Sequence, residues 1–474
     1  MSAAARALAR NEVRVAIGLA VGWTVMYATL AVLRHVTWNS TAFDLSVFDQ
    51  VYWNTTQGRP LESTLDRGSC EPVSFFGGHF SPLHFALLPL YALLPRAETL
   101  VVLQAIAVGL GAWPVYVLAR DRLRPGAERL VWVASYLLLA PLSWMVLFDF
   151  HEIPFAIPFL GWALVFVARG RHWHAVVTLL ASFLVKEELP LVALGFAALL
   201  LLKRQWRPGL ALGVVSVAWF VIAVKVVIPA FAGGEYRYTS FYASLGNDEV
   251  EIVRTVLTDP ARTTAVLAND LRMKLRYLAA IFGPGLGLTL ASGPFAVLTI
   301  PTLAYSLLSD YSHQYSVQTH YPATLVPLAV GTAVLGMSRL RGRLRAVAAP
   351  GVLVASVALA YLYGDVPLGQ KFDPSRFGME PRYAALSAAL VAIPADASVT
   401  ASDFVAAQLA HRRYMREYTY QLACGDAEYV ILDVADPQTF ARDRARFDRE
   451  RDALRSIGYE EIAGGDGLSV LRRR

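Results

Sequence analysis

The sequence predicts a polytopic α-helical membrane protein, with about eleven transmembrane helices in residues 1-362 and a small extracytoplasmic α/β domain in residues 363-474. Three observations carry this. Of the 474 residues, 55% are hydrophobic and 17% charged, against the roughly 25% charged residues of a soluble globular chain. Apolar runs recur through the first three quarters of the chain. Between them stand short clusters of Arg and Lys, as in loops that face the cytoplasm. The net charge of +6 resides in this hydrophobic part. Because Arg residues fall in short clusters between apolar runs, no nucleic-acid partner is expected.

The first run, residues 15-33, follows Arg6, Arg10 and Arg14 and lacks a small-residue cleavage site. It reads as a retained first helix, long enough to cross ~30 Å of hydrocarbon. Further runs lie at 98-119, 130-148, 153-168, 173-185, 189-202, 209-231, 277-308, 322-338 and 346-362. The run 277-308 exceeds one crossing and contains Gly283-Pro284-Gly285 and Gly293-Pro294, which predicts a pair of short or broken helices. Lys225, inside an apolar run, is expected to snorkel or pair internally.

With a cytoplasmic N-terminus, five basic clusters fall on one side. They are Arg6/Arg10/Arg14, Arg120/Arg122/Arg124/Arg129, Arg169/Arg171, Lys203/Arg204/Arg207 and Arg339/Arg341/Arg343/Arg345. The apolar segment Pro82-Leu94 is read as a helix in the outer interface, since a crossing there would place Arg120-Arg124 outside. The outer face then receives residues 34-97, 149-152, 186-188, 232-275, 309-321 and the chain from 363.

After Gly364 the pattern turns polar. Strands are predicted at Ala397-Ser402 and Glu428-Asp433, helices at Phe404-Arg413 and Pro437-Ile457, and a hairpin from Tyr459-Ile462 and Leu468-Leu471 around Gly464-Gly465-Asp466-Gly467. The alternating Arg and acidic residues of 442-452 read as a solvated, salt-bridged helix face. Tyr363 to Pro381 reads as the linker. Cys70 and Cys424 have no C-x-x-C or zinc spacing; at most they form one bridge, and only if both face an oxidising compartment.

The outer face collects the ionisable residues. The first loop carries Asp44 and Asp49, with Phe43, Val47, Phe48, Val51 and Tyr52 at helical spacing, so an amphipathic helix would orient Asp44 while Asp49 points elsewhere. His79 follows. The second loop is only Asp149-Phe150-His151-Glu152, and the third Lys186-Glu187-Glu188, each flanked directly by apolar sequence. Charges placed there are costly unless they face the protein interior or a wet cavity. A later loop adds His313 and His320. Plainer readings exist: Asp44 as a helix cap, Asp149 and Glu152 as ion-pair partners of Lys186, Glu187 and Glu188 as a helix end, the histidines as hydrogen-bonding residues without metal-ligand spacing. What favours a site is that carboxylates from three separate loops share one face.

Several motifs resemble a known family in order: Phe43-Asp44-Leu45 with Phe48-Asp49-Gln50, Gly58-Arg59-Pro60, His79-Phe80-Ser81-Pro82, Phe148-Asp149-Phe150-His151-Glu152 and Val185-Lys186-Glu187-Glu188. Across most of residues 35-335 they resemble the uncharacterised membrane family called domain of unknown function 2079. More distantly, the layout is similar to the GT-C glycosyltransferases, such as protein O-mannosyltransferases and the aminoarabinose transferase acting on lipid A. That likeness implies a GT-C-like fold with a long first outer loop at 34-97, Asp44 as the acidic position after the first helix, and Asp149 or Glu152 as the acidic position of the second loop. The sequence departs from the pattern in spacing Asp44 and Asp49 five residues apart rather than adjacent, which leaves open which Asp carries the role.

The implied chemistry is transfer of a sugar from a polyprenyl-phosphate donor to a glycan, lipid or protein acceptor at the extracytoplasmic face of the cell membrane. An inverting transfer needs a carboxylate to take the proton of the attacking hydroxyl. Asp44 is the candidate base and Asp49 the second, with Asp149, His151 and Glu152 as second-loop partners. Lys186 or Arg59 would stabilise the departing phosphate, and His79, Glu187 and His320 complete the candidate substrate-binding set. Asp44 and Glu152 could hold Mg2+ or Mn2+, though the sequence does not require a metal. The rival is a transporter or lipid flippase. Such a protein would place ionisable groups near the midplane and show related halves, and neither is evident. A partner-recruiting module on a membrane anchor ranks last, since an anchor needs one or two helices.

Overall fold

The computed structural model describes residues 3–65, 70–421, 424–425 and 427–474. Among them five helices are long and apolar enough to cross a bilayer: Ala9–Val36, Ala97–Arg122, Trp206–Ala232, Tyr321–Arg339 and Gly342–Tyr363. A sixth candidate is the pair Ala127–Leu137 and Ala140–Leu147, bent by 42° at its break. Shorter apolar helices run over Leu83–Leu93, Ile153–Ala168, Leu189–Leu202 and Gly293–Leu307. The chain is thus a multi-pass helical membrane protein. Val214, Val217, Val354 and Val357 stand exposed on two of the long helices, as lipid-facing side chains do.

One core joins most of these helices, through residues such as Tyr27, Leu100, Val108, Trp132, Val146, Leu160, Val192 and Leu328. The run 277-308 is broken where its Gly-Pro pairs fall: helix Leu271–Phe282 ends, a short helix Leu288–Ala291 follows, and Gly293 at φ +64° opens a 3-10 helix, Gly293–Thr299, that leads into Ile300–Leu307. The helix Val326–Arg339 packs so closely on that short helix that a Cβ at Gly336 would lie 1.9 Å from the Leu288 carbonyl oxygen. Lys225 pairs with Glu249 at 2.6 Å, its side chain half exposed.

Seven strands are described. In the first loop, after the first long helix, β1 (Glu62–Ser63) and β2 (Val73–Ser74) pair antiparallel. The chain from 399 builds a five-stranded mixed sheet from β3 (Val399–Ala401), β4 (Met415–Glu417), β5 (Tyr429–Asp433), β6 (Tyr459–Gly465) and β7 (Leu468–Arg473). Its order is β4-β3-β5-β7-β6, parallel among the first three strands and antiparallel beyond them. The β6–β7 hairpin turns on Asp466 and Gly467, both at positive φ, the geometry that Asp-Gly favours. Helix Arg444–Ser456 buries Phe447 and Leu454 against Val430, Leu432 and Leu471. On the other face Trp38, Ala42, Val47 and Leu65 of the first outer loop share a core with Tyr383, Val399 and Val405.

The helix expected over 404-413 stops at Ala406, and the following residues lead into β4. Side chains of the first loop explain this. Gln50 Nε2 donates to the Arg412 carbonyl at 2.9 Å, and the Thr64 hydroxyl donates to the Met415 carbonyl at 2.6 Å. These bonds draw the backbone out of helix, a tertiary override that local pattern does not contain. The segment read as a linker is docked: Asp365 is buried and pairs with Arg376 at 2.6 Å, while Tyr27 donates to the Asp365 carbonyl.

Cys70 and Cys424 are bridged, with Cα atoms 4.9 Å apart. The bridge ties the first outer loop to the segment between β4 and β5. Both thiols should therefore resist a membrane-impermeant maleimide on intact cells until a reductant is added, and then label together. Labelling without reductant would show the bridge absent from the mature protein.

Candidate active site

The first long helix delivers its last turn, with Arg34, to the start of the first loop. The loop then winds into a five-residue π-turn, Ala42–Ser46, which carries Asp44, and continues as the helix Val47–Thr56, which carries Asp49. The widened turn separates the two carboxylates. Asp44 Oδ1 lies 3.3 Å from His151 Nε2, while Asp49 turns away to accept from the Tyr91 hydroxyl at 2.6 Å and to pair with His411 at 3.1 Å. Asp49, His35, Arg96, Glu98 and His411 line a separate polar cavity of about 280 Å³.

The second loop is held open for this contact. Asp149 sits at φ +90°, a left-handed conformation that a non-glycine residue adopts at a cost of roughly 1–3 kcal/mol. Gln104, in the middle of a long apolar helix, over-determines it. Its Nε2 donates to the Asp149 carbonyl at 2.8 Å and its Oε1 accepts from the His151 N–H at 2.6 Å. The Asp149 carboxylate pairs with Arg34 and accepts from the Thr41 N–H and hydroxyl at 3.0 and 2.9 Å. Thr41 thus links the second loop to the turn bearing Asp44.

His151 stacks on His320 at 3.6 Å, between Phe48 and Phe148. Nδ1 of each imidazole is buried without a protein hydrogen-bond partner among the described residues, leaving polar capacity for a substrate. Burial, reinforced by the neighbouring His151 and Lys186, pushes the His320 pKa well down, so this ring is neutral. Glu152 and Lys186 are both buried and pair at 3.0 Å. Burial alone would raise the Glu152 pKa, but Lys186 overrides it and holds the carboxyl well below the usual range. Glu187 accepts from the Phe80 N–H at 3.1 Å and from Tyr236 at 3.1 Å, and lies 2.8 Å from His79. His79 in turn stacks on Tyr238 at 4.4 Å.

Of the residues expected from sequence, the structure thus connects Asp44, Asp149, His151 and His320 directly or through Thr41. It pairs Glu152 with Lys186 and Glu187 with His79. Arg59 is tied instead to Asn54 Oδ1 at 2.9 Å and lies over the Trp53 ring. Among the described residues no group of three or more His, Cys, Asp or Glu side chains is arranged to hold a metal ion. Asp44 and Glu152 face different partners, His151 and Lys186. Arg34, Gln104, Thr41 and His411 escaped the sequence reading. Gln104 had a signal, as a lone amide within an apolar helix, and so did Arg34, a charge in the last turn of the long apolar first helix.

The helical bundle thus carries a long first loop and a cluster of ionisable side chains drawn from several loops. The chain belongs to the family described as predicted membrane protein DUF2079, whose profile spans residues 34–470. Solved structures with a similar fold include ArnT from Cupriavidus metallidurans bound to undecaprenyl phosphate, at 14% identity and a TM-score of 0.56, covering 95% of this chain and 98% of that one. The apo state of the same protein matches with the same coverage and identity at a TM-score of 0.52. No curated protein matches the chain.

Two outcomes test the electrostatics. Removing Lys186 leaves the Glu152 charge buried and unpaired, so Lys186→Met should destabilise by roughly 3–5 kcal/mol and adding Glu152→Gln should recover much of it. Thermal unfolding in detergent reads both; equal losses for single and double variants would contradict the pairing. Glu188 is pushed up to about 7, by burial and by repulsion from Glu187 and Glu152 against the pull of Lys186. Its folded pKa is above the unfolded value near 4.5, so its contribution is complete below pH 4.5 and is lost as pH rises towards 7. The melting temperature of Glu188→Gln should therefore gain on wild type between pH 5 and pH 8. A gap independent of pH would refute the shift.

Proposed function

We propose that this protein is a membrane glycosyltransferase that moves a sugar from a polyprenyl-phosphate donor to a hydroxyl of a glycan, lipid or protein acceptor. In this reading the N-terminus is cytoplasmic, the chain crosses the cell membrane about eleven times, and residues 363-474 form an extracytoplasmic α/β domain. The observation that carries the reading is the meeting of Asp44 from the first loop with His151 from the second, beside the Glu152–Lys186 pair. The fold in which it occurs is shared along nearly the whole chain with a protein that binds undecaprenyl phosphate. The Cys70–Cys424 bridge supports the placement of the first loop and the C-terminal sheet together in an oxidising compartment.

Asp44 is the base rather than Asp49. Its side chain keeps 23% exposure, whereas that of Asp49 keeps 6% and is bonded to Tyr91 and His411. As the acceptor oxygen bonds to the anomeric carbon, Asp44 takes its proton and the bond from that carbon to the phosphate oxygen breaks. The electron pair leaves with the polyprenyl phosphate. Lys186 and His79 stabilise the charge there, and Arg59, tied to Asn54 and Trp53, has the lesser role. His151 and Thr41 orient the carboxylate. Among the described residues Asp44 and Glu152 belong to no group arranged to hold a metal ion, so magnesium or manganese has no assigned step.

The test uses the full chain in proteoliposomes with a panel of polyprenyl-phosphate sugars, detecting released polyprenyl phosphate by mass spectrometry. Wild type should release it, and Asp44→Asn should lower the rate at least about a hundredfold, the usual worth of a general base. Release unaffected by this substitution would move the base to Asp49. No release from any donor by folded protein would sink the transferase reading and leave a transporter or flippase.

A further inference from the structure

The turn that bears Asp44 is fixed from two directions. At Thr41 the Asp149 carboxylate takes both the N–H and the hydroxyl. At the next residue, Ala42, the N–H donates to Asp403 Oδ1 at 2.7 Å, across 361 residues of sequence. Asp403 follows β3 of the C-terminal sheet and is buried. Its other oxygen accepts from Gln438 Nε2 at 3.0 Å, and its own N–H is held by the Asp436 carboxylate, which also accepts from the N–H groups of Gln438 and Thr439 at 2.8 and 2.9 Å. A chain of hydrogen bonds therefore runs from the loop after β5, through Asp403, to the first residue of the π-turn.

We propose that Asp403 is a positioning residue for Asp44: the C-terminal sheet sets the orientation of the proposed base by capping the Ala42 N–H. The proposal rests on the transferase reading only for its catalytic consequence; the positioning itself is a property of the fold. Ala42 and Val47, on either side of Asp44, are buried in the core of the sheet, so the turn and the sheet move together. Burial, together with Asp436, Glu417 and Asp44 and against the Ala42 N–H, pushes the Asp403 carboxyl up to about 8. A neutral acid at pH 7 makes Asn a close substitute, since its carbonyl oxygen still accepts from Ala42 and Gln438 can turn its amide to accept from the new NH2 group.

The experiment reads position 44 without relying on activity. Cys70 and Cys424 are bridged, so an Asp44→Cys substitution in the full-length protein introduces a lone thiol for a methanethiosulfonate reagent. Adding Asp403→Ala should raise its labelling rate about five- to tenfold, the effect of one lost side-chain cap on a local opening equilibrium. Adding Asp403→Asn should leave the rate within about twofold of the parent. Unchanged labelling with Asp403→Ala overturns the proposal. If that variant does not fold, shown by loss of its cooperative thermal transition in detergent, Asp403→Glu, displaced by one methylene, is read in the same way. In the Asp44 protein, Asp403→Ala should lower kcat for polyprenyl-phosphate release at least tenfold with KM for the donor unchanged, and Asp403→Asn should restore it. Faster labelling with kcat intact would keep the positioning role and count against Asp44 as the base.

Discussion

Glu152 and Lys186 stand in turns that lead straight back into apolar helices, and neither can remain charged there alone. Desolvation of an isolated ion costs several kcal/mol even after relaxation, so each requires the other. Their pairing at 3.0 Å fixes the second and third loops against one another. The same demand is met at Asp149 by Arg34 and Thr41, and at Glu187 by His79, Tyr236 and the Phe80 N–H. Short loops at the edge of a bilayer have little freedom to satisfy charges with water. They satisfy them with neighbouring loops, which become one connected polar structure.

Connection has a cost, which appears at the backbone of Asp149. A left-handed non-glycine residue persists only where its surroundings over-determine it, and Gln104 bonds both sides of this one. The gain is that His151 is turned towards Asp44 instead of lying along the second loop. The π-turn at 42–46 acts similarly on the first loop: its wider winding separates the directions of Asp44 and Asp49, so that one carboxylate meets His151 and the other Tyr91 and His411.

Much of this was legible in the residues. The apolar runs, the breaks at Gly283-Pro284-Gly285 and Gly293-Pro294 and the Asp466-Gly467 turn are local signals, and helices, breaks and hairpin occur where they fall. Charges flanked by apolar sequence marked the second and third loops because lipid penalises them wherever the fold places them. What could not be read were partners remote in the chain. No pattern within 404-413 announces that Gln50 and Thr64 will take its carbonyls, and nothing near Asp44 points to Asp403. Likewise the Arg59 of the family-like Gly58-Arg59-Pro60 motif closes a local turn on Asn54, a role its spacing does not distinguish from phosphate binding.

The remote contacts share a direction. Gln50, Thr64, Ala42, Trp38 and Cys70 all belong to the first outer loop, and all meet the chain beyond residue 381. That loop therefore has two faces. One, through Thr41, Asp44 and Phe48, meets the second loop above the helical bundle; the other completes the core of the five-stranded sheet. A loop of this length, with two short strands and the helices Val47–Thr56 and Leu83–Leu93 among its described residues, has little core of its own to hold a carboxylate in one orientation. Burying Trp38, Ala42, Val47 and Leu65 in a sheet supplies the missing rigidity, because packed interiors resist displacement as loops do not. The sheet is thus part of what shapes the polar face, although none of its strands carries the residues that the sequence marked as the site.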